Sequence, residues 1–315
     1  MKMFFAVMSL FFMLFFNGCE AVSPAEPEEI GVPEQAPGED KDDIINPINA
    51  FGKRKGFSCV EFAGKLILAG GWDGSYRYSD VWEFDGAEWI ALSENGGFSG
   101  RTGHSSFVFN NAVWITGGYD GGLKNDVWFS GDGKNWINAS ENAEFTPRSG
   151  HTTVVHNGVI WLIGGGDAYS SEGFDDIWWS VNGKNWIKAA DLPFTAGIGH
   201  KSLVYKDEIW VIGVEPAGAA YKNYVYKSGN GKDWERVSDN AGLGLSFIGS
   251  AFVYEDKIWT AGNMCTASGR AGSVIYSSPD GKKWTEHNIP GDKYICGGTL
   301  VNYKDEIVSI GGDVR

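Results

Sequence analysis

From Phe51 to Arg315 the chain repeats a phrase of about fifty residues. Five Trp residues close near-identical turns: Trp89, Trp136, Trp186, Trp234 and Trp284, spaced 47, 50, 48 and 50 positions apart. An independent mark, a Gly that follows an apolar run, recurs at Gly70, Gly117, Gly164, Gly213, Gly262 and Gly311, at steps of 47, 47, 49, 49 and 49. Two rulers with one period define a repeat architecture, in which one unit cannot bury its apolar surface alone and must pack on its neighbours.

The second unit shows what each repeat contains. Residues 104–109 alternate polar and apolar, Asn110-Asn111 turns the chain, and Ala112 to Gly117 returns. This is a hairpin whose two-residue turn needs positive φ. Matching turns are expected at Ala63-Gly64, Asn157-Gly158, Lys206-Asp207, Glu255-Asp256 and Lys304-Asp305. A Gly-rich loop, a third strand over Asp126–Ser130, a tight turn at Asp132-Gly133 and a fourth strand over residues 135–138 complete the unit. Each unit is thus read as a four-stranded antiparallel meander, and such units pack as blades of a propeller.

The Gly-Gly pairs (Gly70-Gly71, Gly117-Gly118, Gly164-Gly165, Gly311-Gly312), the Arg-x-Gly-His openings at Arg101–His104 and Arg148–His151, and the late Trp resemble kelch repeats over residues 51 to 315. Ser130-x-Asp132-Gly133-x-x-Trp136 also resembles a shortened Asp-box turn. The expected fold is all-β: a six-bladed propeller over residues 44–315, its last blade closed by both termini, with Asp43 to Pro47 as the closing strand.

Residues 1–18 read as an export signal: Lys2, then a stretch from Met3 to Phe16 broken only by Ser9 and too short to span a bilayer. Phe16-Asn17-Gly18-Cys19 resembles a bacterial lipoprotein box, which implies lipid attachment at Cys19 and a place in the cell envelope, with plain secretion as the alternative. Residues 19–43 form an acidic, Pro-rich tether with nine acidic residues, one Lys and four Pro, a composition that does not fold. It carries much of the net charge of −14. With no basic stripe, nucleic acid is not an expected partner. A monomer without cofactor or metal is expected. Cys59 reads as a buried thiol, and Cys265 with Cys296 as a possible disulfide.

A residue type shared by several units is expected to be scaffold, and one that breaks the pattern is a better functional candidate. His104, His151 and His200 form one column, with a metal site as the alternative to bonds inside the blades. Arg54, Arg101 and Arg148 form another, read either as a carboxylate-binding patch or as partners of Asp80, Asp126 and Asp176. The loops after each second strand vary most. Together with the Arg column they supply the expected ligand-binding set: Trp72, Tyr76, Arg77, Arg101, Tyr119, Arg148, Tyr169, Glu215, Tyr221 and Arg270. The expected function is binding of a glycan or an envelope or extracellular protein. One alternative is a carbohydrate-active enzyme: the propeller and Glu215, with Arg101 or Arg148, resemble the sialic acid mutarotases, which implies Glu215 as general base. A structural spacer is the other.

Overall fold

The six predicted hairpin turns all form with both residues at positive φ, from 47° at Glu255 to 75° at Gly64. This is the turn whose twist matches that of the strands it joins. The computed structural model describes residues 50–167, 173–194, 198–217, 220–245, 247–264, 272–287 and 298–311.

Blade one comprises β1 (Ser58–Phe62), β2 (Lys65–Ala69), β3 (Val81–Phe84) and β4 (Trp89–Ser93). Blade two comprises β5 (Ser105–Phe109), β6 (Ala112–Tyr119), β7 (Leu123–Ser130) and β8 (Ile137–Ser140). Blade three comprises β9 (Thr152–His156), β10 (Val159–Ile163), β11 (Asp176–Ser180) and β12 (Ile187–Asp191). Blade four comprises β13 (Lys201–Tyr205), β14 (Glu208–Ala217), β15 (Ala220–Ser228) and β16 (Glu235–Ser238). Blade five comprises β17 (Ile248–Tyr254), β18 (Lys257–Met264), β19 (Gly272–Ser278) and β20 (Thr285–His287). Each is an antiparallel meander in sequence order, and β21 (Thr299–Tyr303) pairs with β22 (Glu306–Ile310) in a sixth, two-stranded sheet. The described residues therefore form five full blades and part of a sixth. The expected closing strand, Asp43 to Pro47, lies outside them.

The core lies between blades. Phe107, Phe109, Trp114 and Val127 of blade two pack with Ile160, Leu162 and Trp186 of blade three. The second-strand Trp of one blade lies over the fourth-turn Gly of the next: a Cβ on Gly183 would meet Trp114, on Gly231 Trp161, and on Gly281 Trp210, at 2.3, 2.5 and 2.6 Å. The two-stranded sheet sits between blades five and one. Leu300 and Ile307 pack on blade five, while Tyr303, Val308 and Ile310 pack on Phe51, Leu66, Leu68 and Phe84 of blade one. There the Tyr303 hydroxyl donates to the Gly64 carbonyl at 2.8 Å.

Unit four departs from the expected loop. Where Gly70-Gly71, Gly117-Gly118 and Gly164-Gly165 turn the chain at positive φ, Gly213-Val214 does not. The strand runs on, and β14 pairs with β15 through Glu215↔Lys222 and Pro216↔Tyr221 to Ala217↔Ala220. Blade five likewise extends, to Met264↔Gly272.

Candidate functional site

Each blade begins with a short entry segment, and these segments bond to one another around the axis. Gly103 N donates to Gly56 O, and Gly150 N to Gly103 O, both at 2.8 Å. The connections after the second strands are pinned to the same segments. Lys55 and Trp72 exchange two backbone bonds at 2.9 Å, Thr102 and Tyr119 do so at 3.0 and 2.9 Å, and Ser149 and Gly166 at 2.9 Å. The result is a funnel of about 720 Å³ at one end of the axis. Its wall takes residues from the entry segments of all five blades and, at Gly298 and Thr299, of the sixth unit.

Of the ten expected binding residues, the structure brings three together here: Trp72, Arg77 and Tyr119. The Arg77 guanidinium lies 4.8 Å from the Tyr119 ring centroid and 6.0 Å from that of Trp72, and the Lys55 ammonium lies 4.9 Å from the Trp72 ring. Cation–π attraction holds these groups as one layer. Tyr76 is 62% exposed and outside the funnel; it stacks edge-on to Tyr78 at 5.0 Å. Asp73 shapes that loop by accepting from the Ser75 and Tyr76 amides and the Tyr78 hydroxyl, bonds that draw its pKa down to about 2. Tyr169 and Arg270 lie outside the described residues, as do the side chains of Glu215 and Tyr221 and the Cys19, Cys265 and Cys296 positions. Cys59 stands in β1, its thiol pKa raised by burial.

Arg101 and Arg148 require a correction. Both are 0% exposed inside their blades. Arg101 pairs bidentately with Asp126 at 2.6 and 2.7 Å, and Arg148 with Asp176 at 2.5 and 2.8 Å. Each also donates to the repeated Gly carbonyl, Gly117 O at 2.9 Å and Gly164 O at 2.8 Å. Arg54 with Asp80 completes the column. With every fork engaged and buried, these guanidiniums do not face the funnel.

The His column is held in the same way. His104 Nε2 bonds Ser58 Oγ at 2.8 Å and His200 Nε2 bonds Thr152 Oγ1 at 3.0 Å, each reaching into the preceding blade. His151 Nε2 bonds Thr116 Oγ1 at 2.9 Å. Burial pushes the His104 pKa down to about 3 and that of His151 well below the ordinary value.

Sequence reasoning missed the entry residues Lys55, Ile198, Lys201 and Phe247. Ile198 and Phe247, 45% and 41% exposed, both line the funnel. Both add apolar surface to the funnel wall.

The repeats also match known families. Residues 53–94 and 147–179 match the Kelch motif, and residues 185–312 match the DUF6242 beta propeller domain. A solved structure described as "Structure of YjhT" is similar with a TM-score of 0.64 at 16% identity, over 85% of this chain and 93% of that one, a likeness of fold. No curated protein matches the sequence. With the blades, the Gly-Gly turns and the motif matches in agreement, the chain is a kelch-repeat β-propeller.

Proposed function

We propose that this protein is an exported, lipid-anchored binding module that takes the end of a glycan into its axial funnel. The observation that carries this reading is the shape and lining of that funnel. Its volume of about 720 Å³ is that of a small-ligand site, whereas a protein partner is usually met on a broad, flatter patch. Trp72, Tyr119 and Phe247 supply flat apolar faces for sugar rings, and Thr102 and Ser149 supply hydroxyls beside them. The lipoprotein-like sequence ending at Cys19 and the acidic tether of residues 19–43 support display of the propeller away from a membrane in the cell envelope.

A glycan-array screen of wild-type protein beside Trp72→Ala tests the reading. Specific binding that falls at least tenfold in Trp72→Ala, with the circular dichroism spectrum unchanged, is expected, because an aromatic anchor in a pocket is commonly worth about 2 kcal/mol. Folded wild-type protein that binds no glycan on the array overturns it.

A further inference from the structure

The loop that follows β2 serves two separate cavities. Arg77 lines the funnel, whereas its neighbours Tyr76 and Tyr78 line a second cavity of about 120 Å³, together with Trp82, Ser93 and Glu94. The two cavities share no residue. Pockets for whole small molecules begin at roughly 300 Å³. The second cavity therefore suits a head group. Blade two shows what is particular about it. Counting from Asp126, the equivalent of Asp80, blade two keeps Trp128 but has Gly122 and Lys124 in place of Tyr76 and Tyr78. The Lys124 carbonyl accepts from the Arg148 amide as the Tyr78 carbonyl does from that of Arg101, so these positions correspond. The strand registers likewise set Glu141 where blade one has Glu94. Blade three has Glu172 and Phe174 in place of the two Tyr. Among these three blades a ring at the position of Tyr76 belongs to blade one alone.

The walls of this cavity are rings, and most of its polar groups are engaged. Asp73 accepts from the Ser75 and Tyr76 amides and the Tyr78 hydroxyl, at 2.8, 2.7 and 2.7 Å, and so holds the exposed Tyr76 in place. Arg54 lies 3.9 Å from the Tyr78 ring centroid, so that ring already serves a cation of its own blade. Tyr76 and Trp82 have no cation over them among the described residues. The Asp80 carboxylate takes Arg54 and the Trp82 indole N–H, and the Ser93 hydroxyl donates to the Asn95 carbonyl. Glu94 is exposed and forms no ion pair among the described residues. What the cavity offers is ring faces and one unneutralised charge.

We propose that this outer cavity receives a quaternary ammonium head group, its methyls against Tyr76 and Trp82 and its charge compensated by Glu94. A cation without N–H groups needs no open acceptor, and it is attracted by the electron-rich faces of Tyr and Trp. The net charge of −14 favours the approach of cations in general, and the cavity selects among them by shape. The site is independent of whatever the funnel binds.

Saturation-transfer NMR with choline, beside its uncharged carbon isostere neohexyl alcohol, tests the proposal. Wild-type protein is expected to bind choline roughly tenfold more tightly than the alcohol. Tyr76→Ala is expected to weaken choline binding about fivefold, and Glu94→Gln to weaken it and flatten its dependence on salt. Both side chains are exposed, so neither change should disturb the fold, which circular dichroism checks. Equal binding of choline and the alcohol, no binding of choline by folded wild-type protein, or affinity unchanged in both variants overturns the site. Butylammonium bound more tightly than choline overturns the quaternary assignment in favour of a primary amine. Sedimentation with phosphatidylcholine vesicles, lost in Tyr76→Ala, would assign the head group to a lipid. Choline binding without such sedimentation would assign it to a soluble ligand, and in both cases the ammonium site stands.

Discussion

The buried imidazoles set a pH limit on the fold. His104 titrates near 3 and His151 well below its usual range, because burial opposes charge and Arg101 and Arg148 lie close by. In the unfolded chain both titrate near 6.5. The unfolded state therefore takes up protons first as pH falls. The stability is fully present above 6.5 and declines as pH drops from there toward 3. The decline approaches about 1.4 kcal/mol per pH unit for each His. Urea unfolding between pH 7 and 4.5 should show a falling midpoint, with a shallower slope in His104→Gln. A midpoint that stays flat across that range would contradict the assigned bonds. The sequence exhibited the His and Arg columns, yet it left two readings for each. Repetition places a residue in a blade but not its terminal atoms. Only the Arg148–Asp176 fork and its bond to the Gly164 carbonyl decide between surface patch and internal strut.

At the scale of the blade, the lock is a Trp face on a Gly. Gly231 sits at φ 71° with Trp161 where a Cβ would be, and its amide donates to Ser228 Oγ at 2.9 Å. Asn230 Oδ1 accepts from the amides of Lys232 and Asp233, so the turn is held from both sides. Gly231→Ala should destabilise by about 1–3 kcal/mol through overpacking and backbone strain together. Gly229, two residues earlier, has open space and no positive φ, so Gly229→Ala is the matched control. A melting temperature equal in the two variants would rule out this lock. These turns were legible in the sequence because Ser, Asp or Asn, and Gly are fixed by local backbone demands. The extended β14–β15 ribbon was not, since a Gly-Gly pair replaced by Gly213-Val214 signals a broken loop without saying that the strand continues.

At the scale of the molecule, the funnel is the feature the sequence hid. Its rim is one structural column, Lys55, Thr102, Ser149, Ile198 and Phe247, whose members range from a cation through hydroxyls to large apolar side chains, so no repeat ruler marks them. Scaffold positions repeat because every blade makes the same contact. In the proposed binding role the funnel would face a single ligand from several sides, which accounts for the differences among its residues. The sheet of β21 and β22 between blades five and one brings the sixth entry segment, at Gly298 and Thr299, into the same wall. The measurement that bears most directly on this account is a crystal structure of the protein with the tightest-binding array glycan. Density for a sugar ring is expected within the funnel, against Trp72, Tyr119 or Phe247. A glycan seated instead on the outer strands, with the funnel filled only by water, would contradict it.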